Sequence, residues 1–270
     1  MRLQNLHTHT SYCDGRDTPA EMVRGAIEQG FSSIGFSGHI YLPFPQDYAM
    51  THEATLAYQR DIKALKEQYK ESFPIFMGIE LDLYSDDDTS AYDYVIGSSH
   101  YTEKNGELFA VDLSFDTVKQ DIREAFGGDA FAYARSYYEG VVRLSRERAF
   151  DFVGHFDLLT KYRDREDLFD TDSPRYRNLA LEALHAVKEK QDVFEINTGA
   201  ISRGYRVTPY PDPFLLREMK EIGARIVLTS DCHDVRNLTC GFDACYELLR
   251  AHGFRSVLYL TSHGWEEEGL

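Results

Sequence analysis

The sequence has 270 residues, 43% of them hydrophobic, which is enough to bury a sizeable core in one large unit or two small ones. Its formal net charge of -16 repels nucleic acid and anionic membranes, and it repels a phosphorylated substrate too, so any anion has to be met by local groups. No stretch approaches the roughly 18 uninterrupted apolar residues of a membrane span.

In chain order, Met1 to Asn5 runs directly into polar histidines rather than into the apolar centre of a signal peptide, and the expected location is cytoplasmic. A first strand ends near Leu6. Thr18, Pro19 and Glu21 then supply an N-cap, an N1 proline and an N3 acid, which predict a helix closing at Gly30. Further strands are predicted to end near Phe36, Ile79, Ile96, Val153, Ile196 and Leu228. Between them, Leu56, Ile62, Leu65 and Tyr69 are placed on one helical face, and Phe115, Val118, Ile122 and Phe126 on another, each able to cover a sheet. A last apolar run, Val257 to Leu260, is read as an eighth strand or an edge element. Acidic runs at Asp86 to Asp88 and Glu266 to Glu268 read as solvated surface. Four cysteines (Cys13, Cys232, Cys240 and Cys245) without a small disulfide framework read as reduced thiols.

Alternating strands and amphipathic helices argue for repeated βα units around a mainly parallel sheet, with no repeat or linker to divide the chain. The rival, an open doubly wound sheet, would normally carry a Gly-rich loop after its first strand; here that position holds His7-Thr8-His9. Strand alternation puts both imidazoles on one side of the backbone, with Thr8 turned away. Alone, such a pair fits two structural histidines as well as two ligands.

The placement recurs, however. His39 follows the second strand, Glu80 ends the third, His100 follows the fourth, His155 the fifth, and Asp231 with His233 the seventh. In a barrel these strand ends meet on one face, so six of the ten histidines and two carboxylates would converge. His52, His185, His252 and His263 fall in helical or terminal segments and are given no such role. Imidazole and carboxylate donors suit Zn, Mn or Fe, and their number exceeds what one catalytic ion needs. Clustered cations acidify water, polarise phosphoryl oxygens and stabilise a leaving alkoxide, which is the chemistry of phosphoester hydrolysis.

Read in order, HTHT, SYCDG, GFSGH, GIELD, DYVIGSSH, GHFD, EINTGAISRG and TSDCH resemble the polymerase-and-histidinol-phosphatase (PHP) superfamily over nearly the whole chain. YVIGSSH, Tyr137-Tyr138-Glu139 and EINTGAISRGYR followed by PYPDPFLL look like its monofunctional histidinol-phosphate phosphatases. The resemblance implies one metallohydrolase domain over 1–270, folded as a distorted seven-stranded (β/α) barrel, TIM-barrel-like, with Val257 to Leu260 outside the ring. It also implies three metal ions. His7, His9, Glu80 and Asp231 would hold the first, Glu80 bridging to a second held with His100 and His155, while Asp14, His39 and His233 hold the third. Glu80, Asp231 and His233 are the residues on which catalysis is expected to turn. A hydroxide bridging metals would attack phosphorus, releasing histidinol in a step of histidine biosynthesis.

Two positions depart from that pattern. Gly38 stands where similar sequences often place an acid before the histidine, and Asp14 where some members have histidine. For the substrate, Arg203 is the leading phosphate ligand because a guanidinium can grip two phosphoryl oxygens; Lys161 is a second candidate and Asn197 a third. Tyr41, Phe44 and Tyr48 could wall an imidazole ring or pack a lid. Cys232, between Asp231 and His233, should turn away from any metal. A phosphodiesterase or nuclease of the same superfamily, an amidohydrolase and a metal-binding regulatory or scaffolding protein are the competing readings.

Overall fold

The computed structural model describes residues 2–164 and 168–270. Seven short segments form strands β1 (Gln4–Asn5), β2 (Ser33–Phe36), β3 (Ile75–Asp82), β4 (Tyr94–Ser98), β5 (Phe152–Val153), β6 (Val193–Asn197) and β7 (Arg225–Thr229). They pair in sequence order, every pair parallel. The two edges then approach each other: a parallel bridge joins Thr8 to Cys232, and the His9 N–H donates to the Cys232 carbonyl at 2.9 Å. The sheet is therefore nearly closed into a barrel, with helices around it. No helix among the described residues is long and apolar enough to cross a membrane.

The first helix, Pro19–Glu28, has both arms of the expected capping box: Thr18 accepts from the Glu21 N–H, and Glu21 accepts from the Thr18 N–H. In the helix His52–Tyr69 one expected position is wrong. Tyr58 and Ile62 are buried and Leu65 and Tyr69 pack against them, but Leu56 is 69% exposed. Six residues separate Leu56 from Ile62, about 600° of turn, which leaves Leu56 roughly 120° off the buried face. Tyr58 occupies that face instead. The helix Phe115–Glu124 buries Val118 and Ile122 as expected, but it lies on an inserted hairpin (Tyr101–Lys104 with Glu107–Ala110), not on the barrel sheet.

The C-terminal apolar run forms a hairpin of β8 (Ser256–Thr261) and β9 (Gly264–Gly269), paired only with itself and so outside the ring. Leu258 and Leu260 pack with Leu6, Phe76, Tyr94, Phe152, Val193 and Val227, closing the end where the barrel strands begin. Gln4 pins the hairpin by exchanging hydrogen bonds with the Leu260 backbone at 2.8 and 2.9 Å. Across this cluster lies Tyr94, whose hydroxyl donates to the carbonyls of Leu6 (2.5 Å) and Phe36 (3.0 Å). It can do so only because Gly35 and Gly78 lie under it: a Cβ at either position would come within 2.4 and 2.2 Å of the Tyr94 side chain. With one end of the barrel plugged, the other, where the strands finish, is left for chemistry.

Candidate metal centre

All nine side chains expected to hold metal meet at the C-terminal ends of the strands. His7 and His9 lie just past β1 with ring centroids 5.2 Å apart, and Thr8 points elsewhere, donating to the Gly35 carbonyl. Glu80, fully buried near the end of β3, is central. Its oxygens lie 2.8 Å from His39 Nδ1, 2.9 Å from His155 Nε2, 3.3 Å from His7 and His100 Nε2, and 3.6 Å from His9 Nε2. Asp231 Oδ1 lies 3.2 Å from His9 Nε2 and 3.7 Å from His7 Nε2. To aim its carboxylate there, Asp231 takes a left-handed backbone (φ 46°), uncommon for a residue other than glycine and a form of strain that gathers at functional sites. On the outer side, Asp14 lies 3.1 Å from His233, 3.6 Å from His9 and 3.7 Å from His39.

Three of these atoms, His7 Nε2, His9 Nε2 and Glu80 Oε2, are buried without an aligned hydrogen bond, Glu80 Oε2 in spite of lying 2.8 Å from His39 Nδ1. Groups left this way cost folding free energy unless something binds them. The donors fall into four sets whose ligand atoms lie within 4.8 Å of one another: His7, His9, Asp231; His7, Glu80, His155; His39, Glu80, His100; and His9, Asp14, His39, His233. Donor type, convergence and orphaned atoms all fit divalent ions. These sets differ from the grouping implied by the resemblance in that His9 joins the outer one, and His155 and His100 fall apart, the first with His7 and Glu80 and the second with His39 and Glu80.

Charge is balanced internally. Burial opposes ionisation of Glu80, but His39, His7 and His100 hold its pKa well below the usual carboxylate range; His7 and Arg203 do the same for Asp231. Burial likewise disfavours a charged His7, yet Glu195, Glu80 and Asp231 raise its pKa well above the ordinary value. His9 goes the other way: burial, with His233 and His39 alongside, lowers it to about 3.

Two carboxylates behind the cluster escaped the sequence reading. Asp82 accepts from the His100 backbone N–H at 3.3 Å and lies 2.9 Å from its Nδ1, and Glu195 lies 2.6 Å from His7 Nδ1. Each stands in a strand that is otherwise mostly apolar and is fully or almost fully buried, a combination that requires a partner. Gly38 leaves His39 without an acid beside it in sequence; a Cβ there would meet Met50 and Cys13 at 3.2 and 3.4 Å, and His39 takes its support from Glu80 and from the edge of Tyr48.

The cluster opens into a cleft of about 270 Å³ lined by Asp14, His39, His100, His155, Asp231 and His233, with Arg203, Lys161, Asp47, Tyr48 and Asp112 on its walls. Arg203, 32% exposed at its side chain, donates to the Asp231 carbonyl (3.1 Å) and carboxylate (3.3 Å) and lies 3.0 Å from His233 Nδ1. Lys161 donates to the Asp112 carbonyl and lies over the Tyr205 ring, and burial lowers its pKa. Asn197 requires a correction. It is fully buried and absent from the cleft wall, and its amide donates to Glu195 (2.9 Å) and Asp231 (3.3 Å). Of the three aromatic candidates only Tyr48 reaches the cleft, while Tyr41 stacks on His52 and Phe44 packs on Tyr84 and Tyr101. Cys232 is buried in the core and Cys13 lies 3.6 Å from His9; burial pushes both thiols up to about 12. A roomier groove of about 480 Å³ between the helices Ala130–Glu147 and Pro174–Lys188 contains none of these residues.

The family model described as PHP domain matches residues 5–199. Among curated proteins, the histidinol-phosphatase of Bacillus subtilis is 26% identical over 269 residues, 92% of this chain and 99% of that protein. A Deinococcus radiodurans protein named as a probable histidinol-phosphatase is 28% identical over 271 residues, 95% and 96% of the two chains. Among solved structures, a candidate histidinol phosphatase from Listeria monocytogenes superposes with a TM-score of 0.76 at 23% identity, over 90% of this chain and 99% of that one. The histidinol phosphate phosphatase of Lactococcus lactis, solved with zinc, L-histidinol and phosphate, gives 0.72 at 20%, over 97% and 98%. These two structures share the fold.

Proposed function

Since the chain belongs to the PHP domain family, we propose that it hydrolyses L-histidinol phosphate to L-histidinol and phosphate, as a cytoplasmic enzyme of histidine biosynthesis. One observation carries this reading: the buried, unpartnered atoms of His7, His9 and Glu80 lie against Asp231, His39, His100 and His155, which line the same cleft whose wall carries Arg203 and Lys161. Full-length similarity to histidinol-phosphatases supports the choice of substrate.

Three ions are proposed. His7, His9 and Asp231 would hold one, Glu80 with His100 and His155, both near its Oε1, a second, and Asp14, His39 and His233 a third; Glu80 would be shared, since its Oε2 lies 3.3 and 3.6 Å from His7 and His9 Nε2. Bound there, zinc, manganese or iron would supply Lewis acidity toward a phosphoryl group and a water acidic enough to act near neutral pH. The remaining work falls to the chain. Arg203 and Lys161 receive the phosphate, offsetting a net charge that repels it. Asp47 and Asp112, on the wall of the same cleft, suit a leaving alcohol that carries an amine and an imidazole. Asn197 and Glu195 keep the metal-facing side chains oriented.

Phosphate release should be measured over a panel of phosphomonoesters and phosphodiesters, with metals quantified on the same protein. Histidinol phosphate should be the preferred substrate by at least an order of magnitude in kcat/KM. Efficient turnover of another ester with none of histidinol phosphate would overturn the substrate, and no metal-dependent hydrolysis at all would overturn the enzyme.

A further inference from the structure

Glu195 stands out among the buried groups for the number of strand ends it ties together. Its Oε1 lies 2.6 Å from His7 Nδ1 and accepts from the Thr229 hydroxyl at 2.5 Å; its Oε2 accepts from the His155 backbone N–H at 2.6 Å and the Asn197 amide at 2.9 Å. It thus contacts the segments after β1 and β5 and the end of β7 from its own place on β6, and through Asn197 it reaches Asp231. An ionised carboxylate only accepts, and its two oxygens offer about four lone-pair sites. Here all four are taken.

We infer that Glu195 is a positioning residue that fixes the tautomer of His7, forcing the proton onto Nδ1 so that the buried Nε2 presents a lone pair to a metal ion. For an ionised Glu195 the surroundings leave one arrangement. The His155 N–H cannot reverse its direction, and the Asn197 amide is held in its orientation because its oxygen accepts from the Gly199 N–H at 2.8 Å. Oε2 must therefore accept. With Glu195 ionised, Oε1 accepts as well, and His7 Nδ1 has to donate.

Glu195→Gln tests this because it preserves shape and reverses one direction. Its oxygen has to face His155 and Asn197, so its NH2 faces Thr229 and His7. The Thr229 hydroxyl can rotate to accept, but His7 can accept at Nδ1 only by moving its proton to Nε2. That proton would point at Glu80 Oε2 and Asp231 Oδ1, 3.3 and 3.7 Å away, where an ion would sit. Orienting partners of metal-binding histidines typically control affinity by about 10- to 100-fold.

The inference rests on the proposed metal centre, and the experiment separates the two. Zinc affinity and stoichiometry are measured by competition with a chelator for wild type and Glu195→Gln, both checked by circular dichroism, and the His7 tautomer is read from long-range ¹H–¹⁵N spectra of zinc-loaded wild type. The expected result is weakening of one zinc by about 10- to 100-fold in the variant, with activity recovering in excess zinc, and a wild-type His7 protonated at Nδ1. Unchanged affinity in a folded variant overturns the inference, as does a wild-type His7 bound through Nδ1, which can be read even if the variant does not fold. A wild type that binds no zinc, manganese or iron would instead overturn the metal centre itself.

Discussion

Replacing Arg203 with alanine tests the substrate side of the cleft. The guanidinium lies on the cleft wall, anchored by Asp231 and His233, with about a third of the side chain open to solvent. Burial works against its charge, but Asp231 keeps its pKa above the ordinary value, so it is cationic at every working pH. If it grips two phosphoryl oxygens, each charge-assisted hydrogen bond contributes about 1.5–3 kcal/mol. Taking the lower figure twice, Arg203→Ala should lose about 3 kcal/mol, roughly 100-fold in kcat/KM and mostly in KM. Arg203→Lys keeps the charge without the fork and should recover only part of this. Steady-state phosphate release from histidinol phosphate, with bound metal quantified in each variant, is the assay. Unchanged kinetics in Arg203→Ala would show that the guanidinium does not hold the phosphate. So would a loss of activity that tracks a loss of metal, because Arg203 would then be acting as a support for Asp231.

Other consequences follow from the same geometry. In the metal-free cluster the pKa values of His7, His39 and His100 are raised by their carboxylate neighbours in spite of burial, so these rings hold protons near neutral pH that ions must displace. Metal uptake should therefore release protons and weaken as pH falls; calorimetry in buffers of different ionisation enthalpy would show this, and no buffer dependence would contradict it. A Cβ on Gly199 would come within 2.7 Å of Asp231 Oδ2 and 2.8 Å of Arg203 Nη2, so Gly199→Ala should lower kcat/KM about 10- to 100-fold with an unchanged circular dichroism spectrum. Full activity would show that this contact is not needed. Tyr94→Phe leaves the buried carbonyls of Leu6 and Phe36 without their hydroxyl donor and should cost about 1–3 kcal/mol in denaturant unfolding. An unshifted midpoint would mean the carbonyls find other partners.

That the nine side chains would cluster was legible because nearly all of them occupy the same place relative to a strand, and because a barrel gathers strand ends wherever they lie in sequence. His7 and His9 also follow from strand alternation. Burial phase was less secure: Leu56 is apolar but sits about a third of a turn from the face that Tyr58 and Ile62 bury. Asn197 follows β6's Glu195 at alternate spacing, as Asp82 follows Glu80, and the sequence does not say which of two such polar groups faces a cleft and which stays behind it. The signal that could have found Asp82 and Glu195 is a charged residue among apolar neighbours in a strand, which cannot be buried without a donor. Asp47 and Asp112 had no such signal, since they reach the cleft from loops whose paths no local period records. The plug formed by Leu258 and Leu260 depends on Gly35 and Gly78 making room for Tyr94, a relation between four distant segments.

Metal titration tests most directly whether the cluster works as a three-ion centre. Protein stripped with a chelator should be titrated with zinc and, separately, with manganese, with histidinol phosphate turnover followed against equivalents bound per chain. Activity should rise to a plateau as the third ion is bound, and Glu80→Ala should bind fewer ions and remain inactive when metal is in excess. A plateau at one equivalent, or activity in Glu80→Ala, would show that the cluster does not work as a three-ion centre bridged by Glu80.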